Sequence, residues 1–199
     1  MKKLKVNEIF HSIQAEGYHV GTPAIFIRLS GCNCACDFCD TEWVSFKEMS
    51  IGEILKEISQ YKCDTIIWTG GEPFLQLTQE ICEVFESKEY FQMAETNGTI
   101  NTHYVFDHIS CSPKDMSKLS SDFKNDFCGE FRFPFDSKNP NIPKIEDLAV
   151  CSDYFISPII VMNPYTKESI DNIQGAVEFV KNNPDWKLSI QIHKFANFK

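Results

Sequence analysis

Cys32, Cys36 and Cys39 stand as C-x3-C-x2-C in the stretch Gly31-Cys32-Asn33-Cys34-Ala35-Cys36-Asp37-Phe38-Cys39-Asp40-Thr41, directly after an apolar run at residues 24–29. Three thiolates this close on one loop can converge on a single inorganic cluster. Iron–sulfur proteins that only move electrons ligate every iron, normally with four cysteines. Three thiolates for four irons leave one iron open, which implies that a substrate or cofactor binds it. Cys34 is a fourth thiol in the loop, and an extended backbone is expected to turn it away from the other three.

A second candidate is Thr69-Gly70-Gly71-Glu72-Pro73. Glycines allow close backbone approach and unusual dihedrals, and Glu72 is an acceptor for a cationic group. Alone, this motif reads equally well as an ordinary turn; beside the cysteine loop it gains a function. Arg28 interrupts the apolar run at 24–29. A buried arginine must be paired, so it meets either a carboxylate of the chain or an anionic ligand. Polar residues also gather where strands are predicted to end, at Glu95-Thr96-Asn97-Gly98 and Ser112-Pro113-Lys114.

The elements that must position these groups follow from periodicity. Residues 4–10, 24–29, 63–69, 91–96, 108–112, 130–135, 150–156 and 186–193 read as strands. Ser50-Ile51-Gly52-Glu53 fits a capping box, and Ile51, Ile54, Leu55 and Ile58 recur at helical spacing to about residue 61. Leu77, Ile81, Val84 and Phe85 mark a second helix, and Ile170, Ile173, Val177 and Val180 a third, over 166–182. Helical periodicity at 116–127 is weak. Strands alternating with helices imply right-handed crossovers and a mostly parallel sheet, with functional groups at the strands' carboxyl ends. The 199 residues fall short of an eight-fold barrel of about 250, so an incomplete, open barrel of about six strands with few helices is expected, as one domain over residues 1–199.

Composition narrows the function classes. A formal net charge of -9 without a Lys/Arg cluster argues against general nucleic-acid binding. The Met-Lys-Lys-Leu-Lys start has no apolar signal region, and no run of about 18 apolar residues occurs, so a cytoplasmic protein that does not cross a membrane is expected. Nine cysteines are an odd count, and four fall within eight positions, which favours metal ligation over a disulfide framework. Cys63, Cys82, Cys111, Cys128 and Cys151 lie among apolar neighbours and read as small buried hydrophobes.

The cysteine spacing with Thr69–Pro73 resembles the radical S-adenosylmethionine (SAM) superfamily. Ser12-Ile13-Gln14-Ala15-Glu16-Gly17, residues 26–33, Cys39-Asp40-Thr41 and Gln191-Ile192-His193-Lys194-Phe195 look like the 7-carboxy-7-deazaguanine synthase family within it. The resemblance implies a [4Fe-4S] cluster on Cys32, Cys36 and Cys39 whose open iron chelates SAM. It further implies Mg2+ at Thr41. SAM contacts would come from Phe38, Asp40, Gly70, Gly71, Glu72, Glu95, Asn97, Ser112, Pro113, Lys114, Ser157 and Pro158. Gln14, Glu16, Arg28, Thr69 and His193 would contact a pterin, 6-carboxy-5,6,7,8-tetrahydropterin, whose ring is contracted to 7-carboxy-7-deazaguanine with loss of ammonia. A flavodoxin or ferredoxin reductant and a homodimer are carried by the same resemblance. Ala15 stands where the family usually has glycine and Ser157 where glutamine is common. Alternative readings are a glycyl-radical-enzyme activating protein, an electron-transfer iron–sulfur protein using all four loop thiols, and a zinc-binding interaction module.

Overall fold

The computed structural model of the chain describes residues 3–39, 41–102, 106–125 and 129–199. Nine described strands form one sheet: β1 (Lys3–Ile13), β2 (Pro23–Leu29), β3 (Lys47–Ser50), β4 (Thr65–Gly70), β5 (Phe91–Thr96), β6 (His108–Cys111), β7 (Glu130–Phe135), β8 (Asp153–Pro158) and β9 (Lys187–Leu188). Their spatial order is β3-β1-β2-β4-β5-β6-β7-β8-β9. From β2 to β9 every neighbouring pair is parallel, whereas β1 pairs antiparallel with both β2 and β3. The sheet is open and mostly parallel, as expected. It has seven parallel strands rather than about six, and an antiparallel edge is added because β1 and β2 are joined by a short connection that needs no crossover.

Five described helices accompany it: α1 (Ile51–Ile58), α2 (Gln79–Glu86), α3 (Ser121–Asn125), α4 (Lys167–Asn182) and α5 (His193–Ala196). The predicted capping box opens α1: the Ser50 hydroxyl accepts from the Glu53 amide, and the Glu53 carboxylate accepts from the Ser50 amide. The helix ends at Ile58, sooner than its apolar spacing implied. In α2 the buried face is Ile81, Cys82 and Phe85, with Val84 exposed. In α4 it is Ser169, Asn172 and Ala176, with Ile170 on the exposed side. The polar residues go inward there because each caps a loop. Ser169 accepts from the Val161 amide (2.9 Å), and Asn172 accepts from the Ser137 amide (2.8 Å).

Alternation along the strands divides the sheet into two faces. Ile25, Ile27 and Leu29 of β2, Ile66 and Trp68 of β4, and Phe131, Phe133 and Phe135 of β7 join the main core, which also takes the apolar faces of α1 and α2. A smaller apolar cluster of Ala24, Phe26, Ile67 and Met93 lies on the other face. Towards the strand ends, that second face changes character and carries Thr69, Glu95, Ser110, Arg132 and Ser157. Two predicted strands are displaced. The one expected at 150–156 starts only at Asp153, Val150 being 86% exposed. The C-terminal strand is just Lys187–Leu188, and His193 opens α5 instead.

Candidate active site

A cleft of about 250 Å³ opens on the polar end of the second face. Cys32, Cys34, Cys36, Cys39 and Thr41 line one end, and Glu16, Thr69, Glu95, Ser110 and Arg132 another part of the same wall.

The cysteine loop is closed by its own backbone. The Gly31 amide donates to the Trp43 carbonyl (2.9 Å), and the Ser30 hydroxyl to the Ser45 carbonyl (2.6 Å). The glycine motif is stitched to its base: Gly71 donates to the Leu29 carbonyl and Glu72 to the Gly31 carbonyl, each at 2.9 Å. Gly70 has φ +111°, and a Cβ there would stand 2.3 Å from the Leu29 carbonyl oxygen, so glycine is required. A side-chain ring ties the loop to the end of β5. Asn33 donates to the Thr99 hydroxyl (2.7 Å), Thr99 to the Asn97 amide oxygen (2.7 Å), and the Asn97 amide nitrogen back to the Asn33 oxygen (2.9 Å).

The described loop cysteines form no disulfide and all face the cleft, so their thiols are available as soft ligands to an iron–sulfur cluster. Burial pushes the Cys36 thiol up, and Lys114 opposes it. Lys114 reaches into the cleft 5.7 Å from the centre of the Phe38 ring and donates to the Ser112 hydroxyl (2.7 Å). Cys34 is not turned away. Its sulfur accepts from the Asn97 amide nitrogen at 3.4 Å. Residues two apart in an extended segment share a face, so Cys34 follows Cys32 into the cleft.

Glu72 departs from expectation. Its carboxylate is fully buried behind the cleft wall and accepts from the Thr96 hydroxyl (2.8 Å) and the amides of Asn97 (2.8 Å) and Phe74 (3.1 Å). Burial raises its pKa against those three donors. The acceptor predicted for a cationic cofactor therefore lies outside the cleft lining and fixes the end of β5.

The other part of the wall is built on Arg132. Its guanidinium lies 2.7 Å from Glu95, 3.0 Å from Glu130 and 3.1 Å from Glu16. Thr69 donates to Glu95 (2.7 Å), as does the Gln14 amide nitrogen (3.1 Å), and Ser157 donates to Glu16 (2.8 Å). Burial alone would raise the Glu95 carboxyl; Arg132, Thr69 and Gln14 outweigh it and hold it at about 2. Glu16 and Glu95 both line the cleft and keep acceptor capacity for a ligand rich in N–H donors.

The Radical SAM superfamily profile matches residues 26–120. The 7-carboxy-7-deazaguanine synthase of Bacteroides thetaiotaomicron is 35% identical over 195 residues, covering 98% of each chain. The chain belongs to the 7-carboxy-7-deazaguanine synthase family. The Haemophilus influenzae 7-carboxy-7-deazaguanine synthase is 33% identical over 96% of this chain and 92% of its own. In structure, QueE from Escherichia coli shares the fold, with a TM-score of 0.71 and 22% identity over 95% of this chain and 94% of that one.

Within this 7-carboxy-7-deazaguanine synthase fold, the predicted site residues divide into groups. Cys32, Cys36, Phe38, Cys39, Thr41, Thr69, Gly70, Gly71, Glu95, Asn97, Ser112, Lys114, Ser157, Pro158 and Glu16 line the cleft together. Asp40 lies outside the described residues. Pro113 is buried behind the wall, and Gln14 supports Glu95 from beneath, its own oxygen accepting from the Ala15 amide (2.7 Å). Ala15 needs no positive φ; that conformation belongs to Gly17 (φ 70°). Arg28 is on the cleft face beside Thr69, but its guanidinium pairs with Glu8 across the antiparallel edge at 3.4 Å and lies over Phe10. His193 is outside the lining, where its neighbours Gln191 and Lys194 take part. Among the scattered cysteines, Cys82 and Cys111 are buried, Cys63 and Cys151 half-buried, and Cys128 lies outside the described residues.

Sequence reasoning missed Ser110, Glu130 and Arg132. A signal for the last two was present in Glu130-Phe131-Arg132-Phe133-Pro134-Phe135. The alternation puts Glu130 and Arg132 together on the face opposite three phenylalanines, and buried charges on one face mark a partnered site.

Proposed function

We propose that the chain catalyses ring contraction of 6-carboxy-5,6,7,8-tetrahydropterin to 7-carboxy-7-deazaguanine with loss of ammonia, as a step in 7-deazapurine and queuosine synthesis. The observation that carries this reading is one cleft holding Cys32, Cys36 and Cys39 together with the paired carboxylates Glu16 and Glu95. Cys32, Cys36 and Cys39 would hold a [4Fe-4S] cluster, and Phe38, Gly70, Gly71, Asn97, Ser112, Lys114, Ser157 and Pro158 would receive SAM beside it. When bound, that pair supplies one-electron cleavage of a sulfonium and so the radical chemistry of the reaction.

The chain's own part is to bind, orient and exclude water. Glu95, a SAM contact by resemblance, shares the Arg132 guanidinium with Glu16 and so joins the pterin set: the two would accept from the N–H edge of a 2-amino-4-oxopyrimidine, and a ligand without those donors would leave their remaining acceptor capacity unused. Trp43, Ile159 and Ile160 form apolar walls of the cleft. Thr41 offers one hydroxyl; among the described residues no three His, Cys, Asp or Glu side chains are drawn close enough to hold a single metal ion, the loop cysteines lining the cleft without converging. A magnesium ion at Thr41 would therefore take its remaining oxygens from substrate and water.

On this reading residues 1–199 act as one catalytic domain in the cytoplasm, as a homodimer, with a flavodoxin or ferredoxin as reductant. No described helix is long and apolar enough to cross a membrane.

The test is anaerobic incubation of reconstituted protein with SAM, dithionite, Mg2+ and 6-carboxytetrahydropterin, followed by mass spectrometry. The expected result is 7-carboxy-7-deazaguanine, absent with Cys36→Ala. Formation of 5'-deoxyadenosine alone would move the assignment to another substrate of the same radical machinery.

A further inference from the structure

Arg132 and Glu130 sit two residues apart on β7 and face the same way, outside every motif that points to the cluster or the pterin. Arg132 is 5% exposed and Glu130 1%, so both charges need partners to be tolerated. Three different nitrogens of the guanidinium serve three carboxylates: one terminal nitrogen reaches Glu16, the other Glu95, and Nε lies within ion-pair distance of Glu130. Glu16 comes from the β1–β2 connection, Glu95 from the end of β5, and Glu130 from β7 itself. One side chain thus ties together segments that share no regular backbone pairing.

Glu130 secures the same connection from below. It accepts from the Tyr18 amide (2.7 Å) and the Ser110 hydroxyl (2.7 Å), and His108 lies 3.5 Å away. Gly17 has φ +70°, and a Cβ there would stand 2.0 Å from a Glu130 oxygen. The segment that carries Gln14 and Glu16 is therefore seated directly on this carboxylate.

We infer that Arg132, seated by Glu130, is the positioning residue that holds Glu16 and Glu95 as a matched acceptor pair for the donor edge of the substrate. This role rests on the pterin reading. Each ligand-facing carboxylate has an oxygen committed to Arg132, and Ser157 and Thr69 orient the remaining ones. With three carboxylates around one guanidinium, the wall has a formal charge of -2 and presents acceptors. It suits a ligand edge of several N–H groups and disfavours an anionic one. Lysine is not equivalent, because a point charge on a flexible stem cannot address three carboxylates from fixed directions.

The experiment compares the parent with Arg132→Met and Arg132→Lys, both reconstituted. Pterin KM and kcat are measured beside substrate-independent cleavage of SAM by dithionite, using the natural pterin and its 2-deamino analogue. Arg132→Met is expected to raise the pterin KM by about 30-fold or more and Arg132→Lys by about 10-fold, with SAM cleavage within about two-fold of the parent. Removing the 2-amino group should cost the parent a similar factor and cost Arg132→Met much less, since the two changes delete one interaction.

A parent-like KM in Arg132→Met, or a 2-amino effect equal in both proteins, overturns the inference. If Arg132→Met does not fold, the same comparison in Arg132→Lys decides it, and an unchanged KM there counts against it. A parent that cleaves SAM but does not turn over the pterin sinks the pterin reading itself, and the inference falls with it.

Discussion

Gly71 lies against Gly31: a Cβ built on Gly71 would stand 1.9 Å from the Gly31 carbonyl oxygen and 2.6 Å from its carbon. Two motifs separated by two strands and a helix in sequence are thus in backbone contact beside the cleft. The obstacle is main chain, which cannot swing aside as a side chain would. Gly71→Ala is expected to displace the start of the cysteine loop and at least halve the iron retained after reconstitution and desalting, as read by iron and sulfide assay. Retention equal to the parent's would mean that the contact has no bearing on the cluster.

Gly52 is the contrasting case. It lies in α1 and is exposed, and a Cβ added there would meet nothing within 4 Å. Helical glycine costs about 0.5–1 kcal/mol relative to alanine. Gly52→Ala should stabilise the protein by about that amount in urea unfolding, with no change in iron content.

The four loop thiols are expected to behave unequally. Cys36→Ala should lose most of the cluster's visible absorbance, whereas Cys34→Ser should keep about four irons per chain and a spectrum that changes on adding SAM. Electron paramagnetic resonance of the reduced proteins makes the comparison directly. Loss of the cluster in Cys34→Ser, with Cys36→Ala retaining it, would reassign the ligands.

Glu95 should leave a pH signature. Its folded-state carboxyl sits at about 2 against an ordinary 4.5, with Arg132 the leading favourable influence. An acid with a lowered folded pKa adds stability that is fully present above about pH 4.5 and is lost as pH falls towards 2. The contribution is on the order of 3 kcal/mol. Urea unfolding of the cluster-free parent and of Glu95→Gln should therefore differ most near pH 6, and the gap should narrow as pH falls below about 4.5. Parallel pH curves for the two proteins would contradict the pairing.

Much of the cleft is legible in the sequence because its signals are local. C-x3-C-x2-C is a loop property, the Ser50/Glu53 cap needs four residues, and β5 and β7 keep their predicted bounds because side-chain alternation and strand composition are short-range features. Tertiary structure alone decided where the charges go. In sequence Arg28 fits a carboxylate partner or a ligand equally well, and the antiparallel register that sets Glu8 opposite it supplied the partner. Glu72 reads as an open acceptor until the end of β5 folds over it. His193 is a site residue by resemblance, yet the chain turns into α5 there and carries it out of the lining. Arg132 could be seen as a buried charge in a strand, but not as the meeting point of Glu16, Glu95 and Glu130. Periodicity states which way a side chain faces; only strand order and register state what it faces, and for a buried charge the partner determines the role.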